Sequence, residues 1–221
     1  MAKSHRFERS EARLKRGKPK KPPYDRMLII CEGEKTEVNY FRAIRRELRI
    51  PSADIEVVHS VLGTQPLQIV ESAEARFRAS KAFDRVFAVF DRDDHLTYNN
   101  ALSRAAALDG KLKNDQKKNV SFQAIPSVPN FEFWILLHFK NVLAFMPRAD
   151  VYTELKEAAH YPTYAKNSLT VYADTKHRIP DATQRAVQLR GHYTAHPGTD
   201  PYTDADVLTG IMTGLANRLN T

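Results

Sequence analysis

The sequence predicts a parallel α/β sheet of about four strands flanked by helices, with a helical C-terminal extension. Three observations carry this. The apolar runs MLIIC at 27–31 and RVFAVF at 85–90 are continuous rather than alternating, the pattern of strands buried on both faces. Segments with apolar residues at helical spacing separate the strand candidates, so strand and helix alternate, the order that folds into a parallel sheet with right-handed crossovers. Beyond about Pro147 the alternation gives way to helical segments joined by Pro-containing loops.

Each element has its own signal. After the first strand and the Glu32-Gly33 turn, Val38, Phe41, Ile44 and Leu48 recur at helical spacing, predicting a helix over 36–49 that Thr36 or Glu34 helps to cap. Pro51 breaks it. The β-rich IEVVHSV at 55–61 is a second strand, and 67–82 is an amphipathic helix with Pro66 near its first turn. The third strand, 85–90, runs directly into Asp91-Arg92-Asp93-Asp94-His95. A helix over 97–112, a fourth strand over 120–126 and a strongly apolar helix over 130–139 follow. Helical segments at 151–159, 182–190 and 204–219 form the extension. The chain thus divides into a basic flexible tail (1–25), an α/β domain (26–146) and the helical extension (147–221).

Composition bounds the function. Among 221 residues, 42% hydrophobic and 27% charged, there is enough apolar material for one sizeable core. No apolar run approaches the ~20 residues of a membrane span, and the N-terminus has no apolar stretch of signal-peptide type, so the chain reads as cytoplasmic. The single cysteine, Cys31, forbids an internal disulfide and argues against a cysteine-based zinc site. The formal charge of +8 is concentrated: nine Lys and Arg against three acids in residues 1–25 leave a tail of about +6 beside a nearly neutral remainder. Arg13, Lys15, Arg16, Lys18, Lys20 and Lys21 are its densest part. Such an arm suits phosphate contacts with a nucleic acid through counterion release; it is otherwise a solvated, disordered tail, or one that docks on an acidic partner.

In open parallel sheets, functional groups gather beyond the carboxyl ends of the strands. Here two strands end in acids: the first in Glu32, followed by Gly33, which permits a tight turn and close approach of a ligand, and the third in Asp91, Asp93 and Asp94. If 90–93 stays extended, Asp91 and Asp93 point to one side. Carboxylates gathered this way repel one another without a cation, and Mg²⁺ or Mn²⁺ favours such hard oxygen ligands. Acids at strand ends also cap helices or pair with arginines, so spacing alone leaves both roles open.

LIICEGEKTEVNYF, VFAVFDRDDH and SVPNFEFWILLHF together resemble the RloB-like (abortive phage resistance, AbiLii-like) family, related to Toprim nucleases of OLD type. The blocks span Leu28 to Phe139, and a weaker match continues through Tyr164-Ala165-Lys166 and Asp200-Pro201-Tyr202-Thr203. The resemblance implies a Toprim-like sheet and a metal-dependent nuclease acting on DNA or RNA (tRNA among them) in antiphage abortive infection. It also implies a partner AAA-type ATPase that controls cleavage. Glu32 matches the Toprim glutamate, a metal ligand or general acid/base, and Asp91 and Asp93 match the D-x-D ligands. Glu37 corresponds to a second acid of the turn, which is one residue longer here than the OLD-type pattern. Asp94 is a further ligand candidate or a helix cap. Glu132 either complements the dipole of its helix or faces the acids. Lys35 and Lys166 are candidates for stabilising transition-state charge. Lys35 otherwise pairs with its acidic neighbours, and Lys166 is otherwise a surface cation.

Other features carry less. Gly33-Glu34-Lys35-Thr36 lacks the glycine before lysine of a phosphate loop, so ATP hydrolysis by this chain is not expected. His138 and Trp134 belong to an apolar helix and read as core, and His192 with His196 lacks the glutamate of a zinc-protease helix. A second class of function stands beside the nuclease: a non-catalytic nucleic-acid-binding or sensor subunit whose acids are structural.

Overall fold

In the computed structural model, which describes residues 25–93, 95–192 and 200–219, a mostly parallel sheet runs through the centre of the molecule. Its strands are β1 (Met27–Cys31), β2 (Ile55–His59), β3 (Arg85–Asp91), β4 (Ser121–Val128) and β5 (Tyr202–Thr203), in the order β2-β1-β3-β4-β5. The first four are parallel, as expected and consistent with a Toprim-like sheet. The fifth is a two-residue antiparallel strand, Thr203 opposite Ser127 and Tyr202 opposite Val128. It lies where the sequence pattern shows only helix and loop, because two residues are too few to register as a period.

Both faces of β1 and β3 are buried, which explains their unbroken apolar runs. Met27, Ile29, Cys31, Phe87 and Val89 point to one side, and Leu28, Ile30, Val86, Ala88 and Phe90 to the other. On the second side lie α2 (Pro66–Ser80) and α3 (Tyr98–Leu108). The first side carries α1 (Thr36–Glu47), the wholly buried α4 (Phe131–Leu136), α5 (Arg148–Leu155), α6 (Val171–Thr175), α7 (Ile179–His192) and α8 (Ala205–Leu219).

The extension is therefore packed into the α/β core. Val151, Leu155, Tyr164, Val171, Leu189, Leu208 and Met212 share one apolar cluster with β1 and β3. Arg190 fastens it, donating to Asp206 at 2.7 and 2.6 Å and to the Thr203 carbonyl at 2.8 Å. Arg185 donates to the Leu137 carbonyl at 2.7 Å. His138 and Trp134 are core residues, as the sequence implies, and burial pulls the His138 pKa down to about 4. No helix among the described residues is long and apolar enough to cross a membrane.

The start of α1 departs from expectation. Neither Thr36 nor Glu34 caps it; Lys35 holds the cap position with no side-chain hydrogen bond. The Thr36 hydroxyl instead donates to the Lys166 carbonyl, tying α1 to the loop between α5 and α6. At α2 the expected proline is at the first turn, beside a reciprocal Gln65–Gln68 capping box.

A shared core has a measurable consequence. Leu189→Ala in α7 removes a side chain 1% exposed, at a cost of about 2–5 kcal/mol. Urea unfolding followed by far-ultraviolet dichroism should keep a single transition with a lower midpoint. A separate early transition would mean that the C-terminal helices fold on their own.

Candidate metal centre

Strand β1 leads through α1 to β2 on one flank, whereas β3 leads through α3 to β4 on the other. The carboxyl ends of β1 and β3 therefore border the crevice where the winding reverses, the usual ligand position in such sheets. Glu32 and Asp91 stand there. The Glu32 amide continues the ladder to the Val89 carbonyl at 3.0 Å. The Asp91 amide then donates to Glu32 Oε2 at 2.9 Å, so one strand end orients the acid of the other.

A cavity of about 340 Å³ opens at this point, lined by Glu32, Glu37, Asp91 and Glu132 with Lys35, Arg148, Lys166 and Asn167 among its walls. Glu37, Asp91 and Glu132 are buried. Glu132 stands in the first turn of α4, so helix dipole and cavity both claim it. Its Oε1 accepts from Tyr164 Oη at 3.0 Å and lies 3.7 Å from Lys166 Nζ. Lys35 is exposed at the rim and makes no ion pair with Glu32, Glu34 or Glu37.

Asp93 arrives by another route than the one expected. The strand ends at Asp91, and Asp93 takes a left-handed conformation (φ 39°), so the two are not successive residues on one face of an extended chain. The turn nevertheless brings a carboxylate oxygen of Asp93, one of Glu32 and a ring nitrogen of His95 within 4.8 Å of one another. Arg148, from α5, forms an ion pair with Asp93 Oδ2, while Asp93 Oδ1 is buried without a hydrogen-bond partner. Asp94 and the basic residues 13–21 lie outside the described residues, as does His196.

The electrostatics follow from crowding. Burial, then Glu37 and Asp93, raise the Glu32 pKa to about 7 against the opposing bond from the Asp91 amide. Burial and Glu132 raise Glu37 to about 7. Asp91 is driven well above the carboxylate range by burial and by Glu37, Glu32, Glu132 and Asp93. Burial works against the charge of Arg148, but Asp93, Asp91, Glu132 and Glu32 together raise its pKa. Gly33 is part of the construction: a Cβ there would stand 2.7 Å from Glu37 Oε2, so a side chain would displace the buried carboxylate.

These residues fit a hard divalent cation. The donors are carboxylate oxygens with one imidazole at the edge, one buried oxygen has no partner, and the acids repel each other as they stand. The sequence marked Glu32, Glu37, Asp91, Asp93, Glu132, Lys35 and Lys166, and all seven lie at or beside this crevice. It missed Arg148, Tyr164 and His95 as contributors. His95 closes the D-R-D-D-H run and Tyr164 stands two residues before Lys166, so both had a local signal; Arg148 had none.

The family model described as RloB-like protein matches residues 27–211. No curated protein and no solved structure matches the chain.

The raised pKa values set a pH dependence. Between the ordinary value of 4.5 and about 7, the folded chain keeps protons on Glu32 and Glu37 that the unfolded chain has released. Stability from this pair is therefore full below 4.5 and falls as pH rises towards 7. Without metal, the melting temperature of Glu37→Gln should fall less across this window than that of the unaltered chain. Added Mg²⁺ or Mn²⁺ should raise the melting temperature of the unaltered chain more above pH 7 than near pH 4.5, because it competes with those protons. Calorimetric melts in the two buffers, with and without metal, check both. Gly33→Ala should fold but lose most of the metal-induced increase.

Proposed function

The chain belongs to the RloB-like protein family, and from that premise we propose that it is a Mg²⁺- or Mn²⁺-dependent nuclease of the Toprim type, hydrolysing phosphodiester bonds in DNA or RNA. The observation that carries this reading is the cavity itself: four carboxylates crowded at the ends of β1 and β3, with Arg148 and Lys166 in the same wall.

Glu32, Asp91 and Asp93 are the residues that would hold the cation, with Glu37 and Glu132 completing the set. When bound, it supplies positive charge that neutralises phosphate oxygens and favours an attacking water. Glu32 and Glu37, with pKa values about 7, are suited to exchange a proton with water near neutral pH. Lys166 is half exposed and faces the cavity, so its Nζ can meet a phosphate oxygen while Glu132 and Tyr164 hold the wall behind it. Lys35, at the rim, is free to make a similar contact. Arg148 offers a planar donor to the same oxygens once a cation relieves it of Asp93.

The family premise extends the proposal to antiphage abortive infection, with cleavage licensed by a partner AAA-type ATPase. It further assigns the basic residues 13–21 to holding nucleic acid. A second reading has its own observation: Arg148 already supplies Asp93 with a cation. On that reading the acids are structural and the chain is a non-catalytic nucleic-acid-binding or sensor subunit. Titration calorimetry with Mn²⁺ separates the two, since the structural reading requires no binding at millimolar metal.

Glu32→Gln and Asp91→Asn should each reduce metal-dependent cleavage of DNA or RNA by roughly 10²-fold or more, with far-ultraviolet dichroism unchanged. Undiminished cleavage in both variants would sink the assignment.

A further inference from the structure

Beside the acidic cavity lies a groove of opposite sign. It has a volume of about 650 Å³, and its walls include Asn39, Arg42, Arg45 and Arg46 from α1, Glu56 from the edge strand β2, and Leu169. Arg42 Nε donates to the Val57 carbonyl at 3.0 Å, and Arg45 Nη1 to the Ile55 carbonyl at 3.1 Å. Each guanidinium has five N–H donors, so these bonds position the groups and leave most donors available. Covering the open edge of β2 accounts for those two arginines, but not for Arg46. The Arg46 side chain is exposed and makes no hydrogen bond or ion pair among the described residues. The groove's acid, Glu56, is already paired with Arg76 at 2.7 Å. Burial and the charges of Arg42 and Arg46 lower the Arg45 pKa, the mark of cations crowded without an anion.

The groove also leads to the cavity. Helix α1 puts Thr36 and Glu37 in the cavity wall and Asn39, Arg42 and Arg46 in the groove wall. The loop that gives Lys166 and Asn167 to the cavity gives Leu169 to the groove. From Glu37 to Arg46 the helix rises about 13 Å, the length of roughly four phosphates at about 3.4 Å per step along a duplex strand.

We propose that the groove between α1 and β2 binds the phosphate backbone of a nucleic-acid strand and leads that strand to the acidic cavity. The direction of travel rests on the nuclease reading; the binding does not. Binding of labelled DNA and RNA oligonucleotides to the full chain, in EDTA across a salt titration, tests it without any cleavage. Arg42→Gln/Arg46→Gln should weaken binding on the order of tenfold near 0.1 M salt. It should also reduce the slope of log affinity against log salt by about 1.4 for single strands, two phosphates' worth. Lys111→Gln/Lys117→Gln, exposed positions outside the groove, should leave the slope unchanged. Arg46→Glu alone, which breaks no bond in the fold, should weaken binding if the double variant is unstable. Unchanged affinity in the groove variants, or an equal loss in the lysine control, overturns the proposal. If the groove variants lose binding while the unaltered chain never cleaves with metal, the nuclease reading fails and the groove stands. If the chain cleaves and the groove variants keep its KM, the groove fails and the nuclease reading stands.

Discussion

The pairing of β1 with β3 is the constraint on which the rest of this molecule depends. Both strands are buried on both faces, so their register is fixed by apolar contacts above and below as well as by the ladder. A slip of one residue would exchange the two apolar sets and carry Glu32 away from the Asp91 amide. The same register that satisfies the core thus sets two acids side by side, and the 2.9 Å bond from the Asp91 amide to Glu32 is its last rung. α1 follows β1 after a four-residue turn, so Glu37 follows from that placement. Glu132 arrives through β4 and the start of α4.

Holding these carboxylates together opposes folding, since buried like charges raise one another's proton affinity. The surroundings offset this in several ways at once. One acid accepts a backbone amide, another a tyrosine hydroxyl, and Arg148 and Lys166 bring positive charge from beyond the α/β unit. Both cations and the tyrosine belong to the C-terminal extension. The extension, through α5 and the loop after it, is consequently part of the site's electrostatics.

The strands and the long helices were legible because burial imposes a period on sequence. Continuous apolar runs located β1 and β3 to within a residue, and the helical spacing of Val38, Phe41 and Ile44 located α1. The acids at the strand ends followed from chain order alone. What was not legible depends on tertiary geometry. The left-handed turn at Asp93 has no glycine to announce it, so an extended D-x-D was the natural expectation. β5 is two residues long, and Arg148 sits in a helix with nothing in its sequence to connect it with Asp93, 55 residues earlier. The use of Thr36 by the Lys166 carbonyl, rather than as a cap, reflects a loop more than a hundred residues away competing for its hydroxyl.

The lone thiol of Cys31 lies one residue before Glu32, fully enclosed between β2 and β3 and with its pKa driven well upward by burial. The thiolate is the form that attacks alkylating reagents, so in the closed molecule this sulfur is shielded twice, by access and by protonation. Alkylation then proceeds through openings of the central strand, and its rate reports how often they occur. The chain carries its own chemical clock for the integrity of its acidic centre, and every other position stays available for a second, introduced label.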